Sequence, residues 1–113
     1  NNITIGALTT IHQFCKIGKH VMVAANSKLV QDIPPFILVG KHPAKYSGIN
    51  SLGLTRRGFE DNEKTDIKKA YRYLFRSDLN QSDALNRIKE EFKGNSNIED
   101  IIRFYESSKR GII

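Results

Sequence analysis

Cysteine is nearly absent from this chain, whose 113 residues contain only Cys15. A single thiol excludes an intramolecular disulfide framework and fits a reducing compartment, so we expect a cytoplasmic protein. A lone cysteine is more often a small buried side chain than a nucleophile, and we interpret Cys15 in that way. Long apolar runs are missing too: none approaches the roughly 20 residues that cross a bilayer. We therefore expect no membrane span.

Acidic residues are scarce in the first half of the chain. Residues 1–59 hold seven Lys and Arg against one acid, Asp32, whereas residues 60–113 hold eleven of each sign. The whole net charge of +6 therefore lies in the first half, where it favours anionic partners such as nucleotides, phosphates or an acidic protein. Aromatic residues do not alternate with the basic ones, and no nucleic-acid-binding module is present, so we do not expect a nucleic acid partner.

Histidines are few, and their spacing does not define a metal site. His12, His20 and His42 are separated by eight and twenty-two residues, which brings no three ligands together along a repeat. Zinc remains a weak alternative, and we expect no metal.

What the sequence does have is a period of six between residues 5 and 33. Aliphatic residues recur at steps of six, and each is followed by a residue that is often Gly or Ala; the five aliphatics are Ile5, Ile11, Ile17, Val23 and Leu29. An α-helix would need steps of three and four, and a flat strand steps of two. A period of six indicates a hexapeptide β-helix, in which each side of a triangular coil contributes one inward aliphatic. Ordinary antiparallel strands with accidental spacing are the alternative.

Five hexads make fewer than two coils, because three hexads complete one. A solenoid needs neighbouring coils to bury its core. We therefore expect the chain to be the C-terminal piece of a longer polypeptide, and an apolar content of 39% agrees with that expectation.

The sequence divides into three parts. Residues 1–35 are predicted as the end of the β-helix, which Pro34 and Pro35 stop because proline donates no ladder hydrogen bond. Residues 36–59 are predicted as an ordered loop long enough to be functional, beginning with a possible last strand. Residues 60–113 are predicted as a helical domain of about three amphipathic helices, running from Asp61 to Arg76, from Asn80 to before Gly94, and from Ser96, within a capping box, to near Gly111. Their apolar faces pack either into a three-helix core or against another subunit.

Two short motifs could carry chemistry. His12 and Gln13 follow an aliphatic corner, where side chains can point outward, and a histidine can exchange protons near neutral pH. Taken alone, a histidine at this position is more often an ordinary surface residue. Arg56 and Arg57, next to Gly58 at a predicted helix entry, suit an anion such as a pyrophosphate, but two solvated charges would look the same.

At these motifs the chain resembles the acyl-carrier-protein–UDP-N-acetylglucosamine O-acyltransferases of lipid A biosynthesis. The resemblance extends over essentially the whole chain. Its motifs are Ile11-His12-Gln13-Phe14-Cys15, Val30-Gln31-Asp32-Ile33-Pro34-Pro35, Gly48-Ile49-Asn50, Gly53-Leu54-Thr55-Arg56-Arg57-Gly58-Phe59 and Arg110-Gly111-Ile112.

The resemblance implies a fold, an assembly and a reaction. The fold would be a left-handed parallel β-helix followed by a C-terminal α-helical domain, assembled as a homotrimer with active sites between subunits. The reaction would transfer an R-3-hydroxyacyl chain from the phosphopantetheine thioester of acyl carrier protein to the 3-hydroxyl of UDP-N-acetylglucosamine, without metal or other cofactor. The histidine general base would lie upstream of Asn1, so no catalytic residue is expected in this chain and no acyl transfer from these residues alone.

The resemblance also assigns roles to individual residues. His12 and Gln13 would line the substrate cleft, and the UDP moiety would be held by Asn50, Arg56 and Arg57. Ala25 replaces a glycine linked to acyl-chain length, and Leu52 replaces a usual acidic residue, which removes one nucleoside contact. A γ-class carbonic anhydrase-like protein and a non-catalytic trimerisation module are the alternatives; the first needs zinc-binding histidines and the second does not explain the clustered polar residues.

Overall fold

The computed structural model describes residues 3–6, 9–11, 15–24, 28–29, 31–40, 46–108 and 112–113. Six short strands precede four helices. The strands are β1 (Thr4–Ile5), β2 (Thr10–Ile11), β3 (Met22–Val23), β4 (Lys28–Leu29), β5 (Ile37–Val39) and β6 (Tyr46–Ile49). The helices are α1 (Ser51–Arg56), α2 (Asp61–Arg76), α3 (Gln81–Glu91) and α4 (Ser96–Ser107).

The strands of residues 4–39 stack in parallel, one coil on the next. β1 pairs with β3 and β2 with β4, each time with partners eighteen residues apart, which is three hexads. β3 then pairs with β5 at a spacing of sixteen, as in Val23 opposite Val39. The isolated bridge between Ile17 and Ile33 has the same shorter spacing. The period of six is thus confirmed as a coil repeat among the described residues, and the last coil is two residues shorter.

Burial of the inward positions increases along the stack. Ile5 is 42% exposed, its partner Val23 is 1% exposed, and Val39 beyond it is fully buried. Ile11, on the second side of the first coil, is 40% exposed. The first coil therefore presents an apolar face that no other described part of the chain covers. Cys15 is only half-buried, whereas we expected a buried side chain.

The coil turns tightly where it meets the two prolines. A Cβ on Gly18 would lie 2.3 Å from the backbone nitrogen of Pro35, so only glycine fits this approach. The chain then forms β5, and β6 returns antiparallel to it. Residues 40–59 are therefore not the loop that we predicted throughout, because β6 and α1 lie within them. The predicted strand at residues 36–39 is present as β5.

The three predicted helices are present as α2, α3 and α4. α2 has the predicted bounds, and the Asn80 side chain caps α3 by accepting from the backbone of Asp83. The cap of α4 is Asn95 rather than the predicted Ser96, because the Asn95 side chain accepts from the amides of residues 97 and 98. No helix among the described residues is long and apolar enough to cross a membrane.

One apolar core joins the coil to the helices. It includes Val21, Ile33 and Phe36 from the coil together with inward residues of all three long helices: Ile67, Ala70, Tyr71, Ile88, Ile98, Ile101, Ile102 and Tyr105. The buried Tyr71 hydroxyl also donates to the carbonyl of Pro35. The helices consequently cover the last coil, and the segment that connects them to it is held at a fixed place.

Candidate functional site

A pocket lies where the edge of the coil meets α1. It encloses about 150 Å³. Its walls come from β1, β3, the turn before β3 and the short helix, through Thr4, His20, Met22, Asn50, Leu52, Gly53, Arg56 and Arg57. Three of these residues, Asn50, Arg56 and Arg57, are predicted site residues, and the structure brings them to one pocket.

Asn50 connects α1 to the coil. Its side-chain oxygen accepts from the Gly53 amide at 3.3 Å, which caps the helix, and its side-chain nitrogen donates to the His20 carbonyl at 3.1 Å. Its backbone nitrogen donates to the Phe36 carbonyl at 2.7 Å. A Cβ on Gly53 would lie 2.4 Å from the Asn50 side chain, so the glycine makes room for this cap. The buried Asn50 side chain thus holds α1 to the coil and also forms part of the pocket wall.

The R-R-G-F motif ends α1 in a Schellman motif. Gly58, at a φ of +89°, donates to the Thr55 carbonyl, and Phe59 donates to the Leu54 carbonyl at 3.0 Å. Arg56 and Arg57 therefore stand at the C-terminal end of α1 and before α2, a position where the helix dipole favours positive charge. The sequence predicts these arginines at a helix entry. They do precede α2, but they also end α1, a helix that the sequence pattern did not predict. Asn50 as a cap, and Gly58 followed by Phe59, were the sequence signals for this helix.

The two arginines are exposed to solvent. Among the described residues neither Arg56 nor Arg57 forms an ion pair with an acidic side chain, whereas Arg87 and Arg103 on the later helices do. Guanidinium groups bind phosphate oxygens through paired N–H donors. The pair can therefore accept an anion in the pocket.

His20 also lines the pocket, although the sequence analysis considered it only as a metal ligand and predicted no substrate-binding role for it. Its φ is +57°, and Phe36, sixteen residues later at the same corner of the next coil, has a φ of +73°. The two rings stack at 5.9 Å, and Phe59 meets the imidazole edge-on at 5.2 Å. The left-handed backbone thus belongs to the corner of the coil. Only the three-dimensional stack brings His20 to the arginines, so no motif in the sequence indicated it.

The charge state of His20 follows from this position. Partial burial lowers its pKa, the positive charges of Lys19 and Arg57 lower it further, and Asp100 acts in the opposite direction. The imidazole is therefore neutral at physiological pH. Its Nδ1 atom is buried and has no hydrogen-bond partner in the part of the chain that the structure describes.

Apolar side chains form the remaining wall. Leu52 is 62% exposed in the first turn of α1, and Met22 is 40% exposed on β3. Together with the arginines they give the pocket one cationic and one apolar side. Such a surface suits a ligand that joins an anion to a less polar group.

The remaining predicted site residues belong to segments that the structure does not describe. His12, Gln13 and Ala25 lie outside the described residues, so their roles stay predictions. Within the described ranges, no group of three or more His, Cys, Asp or Glu side chains is placed to hold a metal ion.

A parallel coil of hexads, capped by helices and with a cationic pocket where the two meet, defines a hexapeptide-repeat protein. Residues 32–113 match the model of the family described as UDP-N-acetylglucosamine O-acyltransferase, domain 2. The chain belongs to this family.

Relatives with the same description support this membership. The acyl-[acyl-carrier-protein]–UDP-N-acetylglucosamine O-acyltransferase of Myxococcus xanthus is 35% identical over 112 residues, which is 99% of this chain and 43% of that protein. The crystal structure of LpxA, a UDP-N-acetylglucosamine acyltransferase from Bacteroides fragilis, is similar with a TM-score of 0.96 at 43% identity over the whole chain and 44% of that structure. LpxA from Acinetobacter baumannii gives 0.92 at 32% identity over 98% of this chain and 43% of its own. The chain thus spans less than half of the length of these relatives.

Proposed function

We propose that this chain is the C-terminal part of an enzyme that transfers an R-3-hydroxyacyl group from acyl carrier protein to the 3-hydroxyl of UDP-N-acetylglucosamine, at the start of lipid A biosynthesis. The observation that carries the proposal is the pair Arg56 and Arg57, which are exposed, have no carboxylate partner among the described residues, and line a pocket of a chain that matches this family. The names of the relatives supply the substrates.

In this reaction the sugar hydroxyl oxygen attacks the thioester carbonyl carbon, a C–O bond forms, and the C–S bond breaks to release the carrier thiol. A general base takes the hydroxyl proton, which the thiolate finally receives. We expect the base, a histidine, from a part of the longer protein that this chain does not include. The role of this chain is then to bind the nucleotide: Arg56 and Arg57 hold the pyrophosphate, and Asn50 keeps their helix fixed to the coil. Phosphopantetheine on the carrier protein is the acyl donor, and the mechanism uses no further cofactor or metal.

We further propose a left-handed β-helix that assembles as a homotrimer, with the active site between subunits. The small volume of the pocket supports this arrangement, because sites for ligands of this size usually enclose about 300–1,000 Å³. A neighbouring subunit would supply the missing wall. His12 and Gln13 would line the same cleft, and Ala25 would limit the acyl chain.

The excess positive charge of residues 1–59 supports an acidic partner such as acyl carrier protein, and we place the enzyme in the cytoplasm. Leu52 offers no carboxylate at the pocket, so one nucleoside contact of the family would be missing here.

The test is Arg57→Ala in the full-length enzyme. Loss of a charge-assisted hydrogen bond costs about 1.5–3 kcal/mol, so KM for UDP-N-acetylglucosamine should rise about 10- to 150-fold while KM for the acyl carrier protein stays constant. Arg87→Ala is the matched control, because Arg87 lies on α3, outside the pocket, and is 58% exposed. Equal KM values for the parent and Arg57→Ala would show that Arg57 does not bind the pyrophosphate. A parent enzyme that transfers no radiolabelled acyl chain would favour a non-catalytic trimerisation module.

A further inference from the structure

The His20 side chain lines the pocket, and the described part of the fold leaves its polar atoms unused. Asn50 uses both polar atoms of its side chain in internal hydrogen bonds. The His20 carbonyl is also occupied, since it accepts from Asn50, but that bond belongs to the main chain. The Nδ1 atom is buried without a partner, and no side-chain hydrogen bond of His20 is found among the described residues.

The buried nitrogen selects the tautomer. Folded proteins rarely leave a buried N–H without an acceptor and leave acceptors unsatisfied somewhat more often. The proton of the neutral ring therefore belongs on Nε2, and Nδ1 keeps its lone pair. The imidazolium form would place an N–H on the buried side as well, which agrees with the lowered pKa of His20.

The ring cannot easily turn to hide Nε2. Phe36 stacks on one side of the imidazole and Phe59 meets it edge-on. The corner that carries His20 is bonded through Asn50 to α1, which carries the arginines. The His20 ring and the backbone that carries the arginines are consequently held in a fixed relation before any ligand arrives, which lowers the entropic cost of binding.

We infer that His20 is a binding residue for the nucleotide substrate, donating a hydrogen bond from Nε2 to an acceptor oxygen of the nucleotide held by Arg56 and Arg57. The inference depends on the proposed function for the identity of the ligand. The acceptor is a phosphate oxygen or a carbonyl oxygen of the base, and both would be recognised by the same neutral donor.

Three variants of the full-length enzyme separate this role from a structural one. His20→Phe keeps an aromatic ring between Phe36 and Phe59 but removes both nitrogens. His20→Asn tolerates the positive φ, which a phenylalanine accepts less easily, and also lacks a donor at the Nε2 position. His20→Gln keeps an N–H donor at about the distance of Nε2. All three retain the main-chain carbonyl that accepts from Asn50.

The measurement is the affinity of each variant for UDP-N-acetylglucosamine and for UMP by titration calorimetry, with KM and kcat for both substrates. Loss of one neutral hydrogen bond should weaken UDP-N-acetylglucosamine about 3- to 10-fold in the Phe and Asn variants, and Gln should recover part of it. KM for acyl carrier protein should not change. An equal loss with UMP places the acceptor within uridine monophosphate, and a loss confined to the UDP-sugar places it on the outer phosphate or the sugar.

Parental affinity for both ligands in the Phe and Asn variants would overturn the inference, as would a Gln variant as weak as they are. Arg57→Ala, measured beside them, tells the two hypotheses apart. If it weakens binding while the Phe and Asn variants do not, only the role of His20 is wrong. If the parent binds neither ligand, the proposed function is wrong as well.

Discussion

Asp32 holds the end of the chain against the coil, and its removal should free that end. The side chain is fully buried. One carboxylate oxygen accepts from the Lys16 amide at 2.8 Å, and the other accepts from the Ser108 hydroxyl. The main chain of the same residue bridges to Ile112 and accepts from the Ile113 amide. One buried acid therefore joins two coils to the segment that follows α4.

The magnitude follows from these bonds. Hydrogen bonds to a charged group contribute about 1.5–3 kcal/mol each, and Asp32→Ala removes two of them while leaving the Lys16 amide without its acceptor. We expect Asp32→Ala to lower the free energy of unfolding by about 3–6 kcal/mol. Asp32→Asn keeps one acceptor oxygen and should cost about half as much. Asp78→Ala, an exposed acid beyond the end of α2, is the matched control and should change stability by less than about 0.5 kcal/mol.

A double-mutant cycle between Asp32→Ala and Ser108→Ala isolates the contact between coil and tail. Hydrogen exchange of the α4 amides in the full-length protein measures the local opening free energy. Residues that share one hydrogen bond should couple by about 1–2 kcal/mol. A coupling below about 0.3 kcal/mol, with α4 protected equally in all variants, would show that Asp32 does not hold this segment and would refute the reasoning.

Two further substitutions test how the site is supported. Gly18→Ala should destabilise the protein by about 2–4 kcal/mol in denaturant unfolding, because the new Cβ would meet the backbone of Pro35. Gly94 has open space around it but a φ of +81°, so Gly94→Ala should cost only about 1 kcal/mol. Equal losses of stability in the two variants would contradict the steric argument. Lys64→Met should raise KM for UDP-N-acetylglucosamine several-fold, since the Lys64 ammonium donates to two hydroxyls of α1 and braces the helix that carries the arginines. Lys68→Met, one turn further along α2 on the exposed surface, is its control. Equal KM values for the two variants would show that Lys64 does not support the helix that carries the arginines.

The sequence by itself determined the elements that depend on local pattern. The hexads from Ile5 to Leu29 predicted parallel coils, and partners eighteen residues apart confirm them for the described strands. The apolar faces predicted α2, α3 and α4, because amphipathic periodicity and side-chain caps such as Asn80 act over a few residues. The motifs also indicated the family, which the comparison confirms.

The loss of two residues in the last coil, by contrast, was not visible in the hexads. It occurs between Leu29, which pairs with Ile11 eighteen residues earlier, and Ile33, which bridges to Ile17 only sixteen residues earlier, so it is seen only in the pairing of one coil with the next. The short helix α1 was also missed, because its six residues are stabilised at both ends by Asn50 and Phe59, which bond or pack onto the coil.

Only the tertiary structure decided which polar residues share the pocket. Asn50 and Arg57 are close in sequence, but His20 reaches them from a coil thirty residues earlier, through the bond between its carbonyl and the Asn50 side chain. Its neighbours, and therefore its neutral charge and its unpartnered Nδ1, come from the stacking of one coil on the next. Sequence periodicity specifies which residues face inward, whereas the environment of a single side chain depends on contacts between segments that lie far apart along the chain.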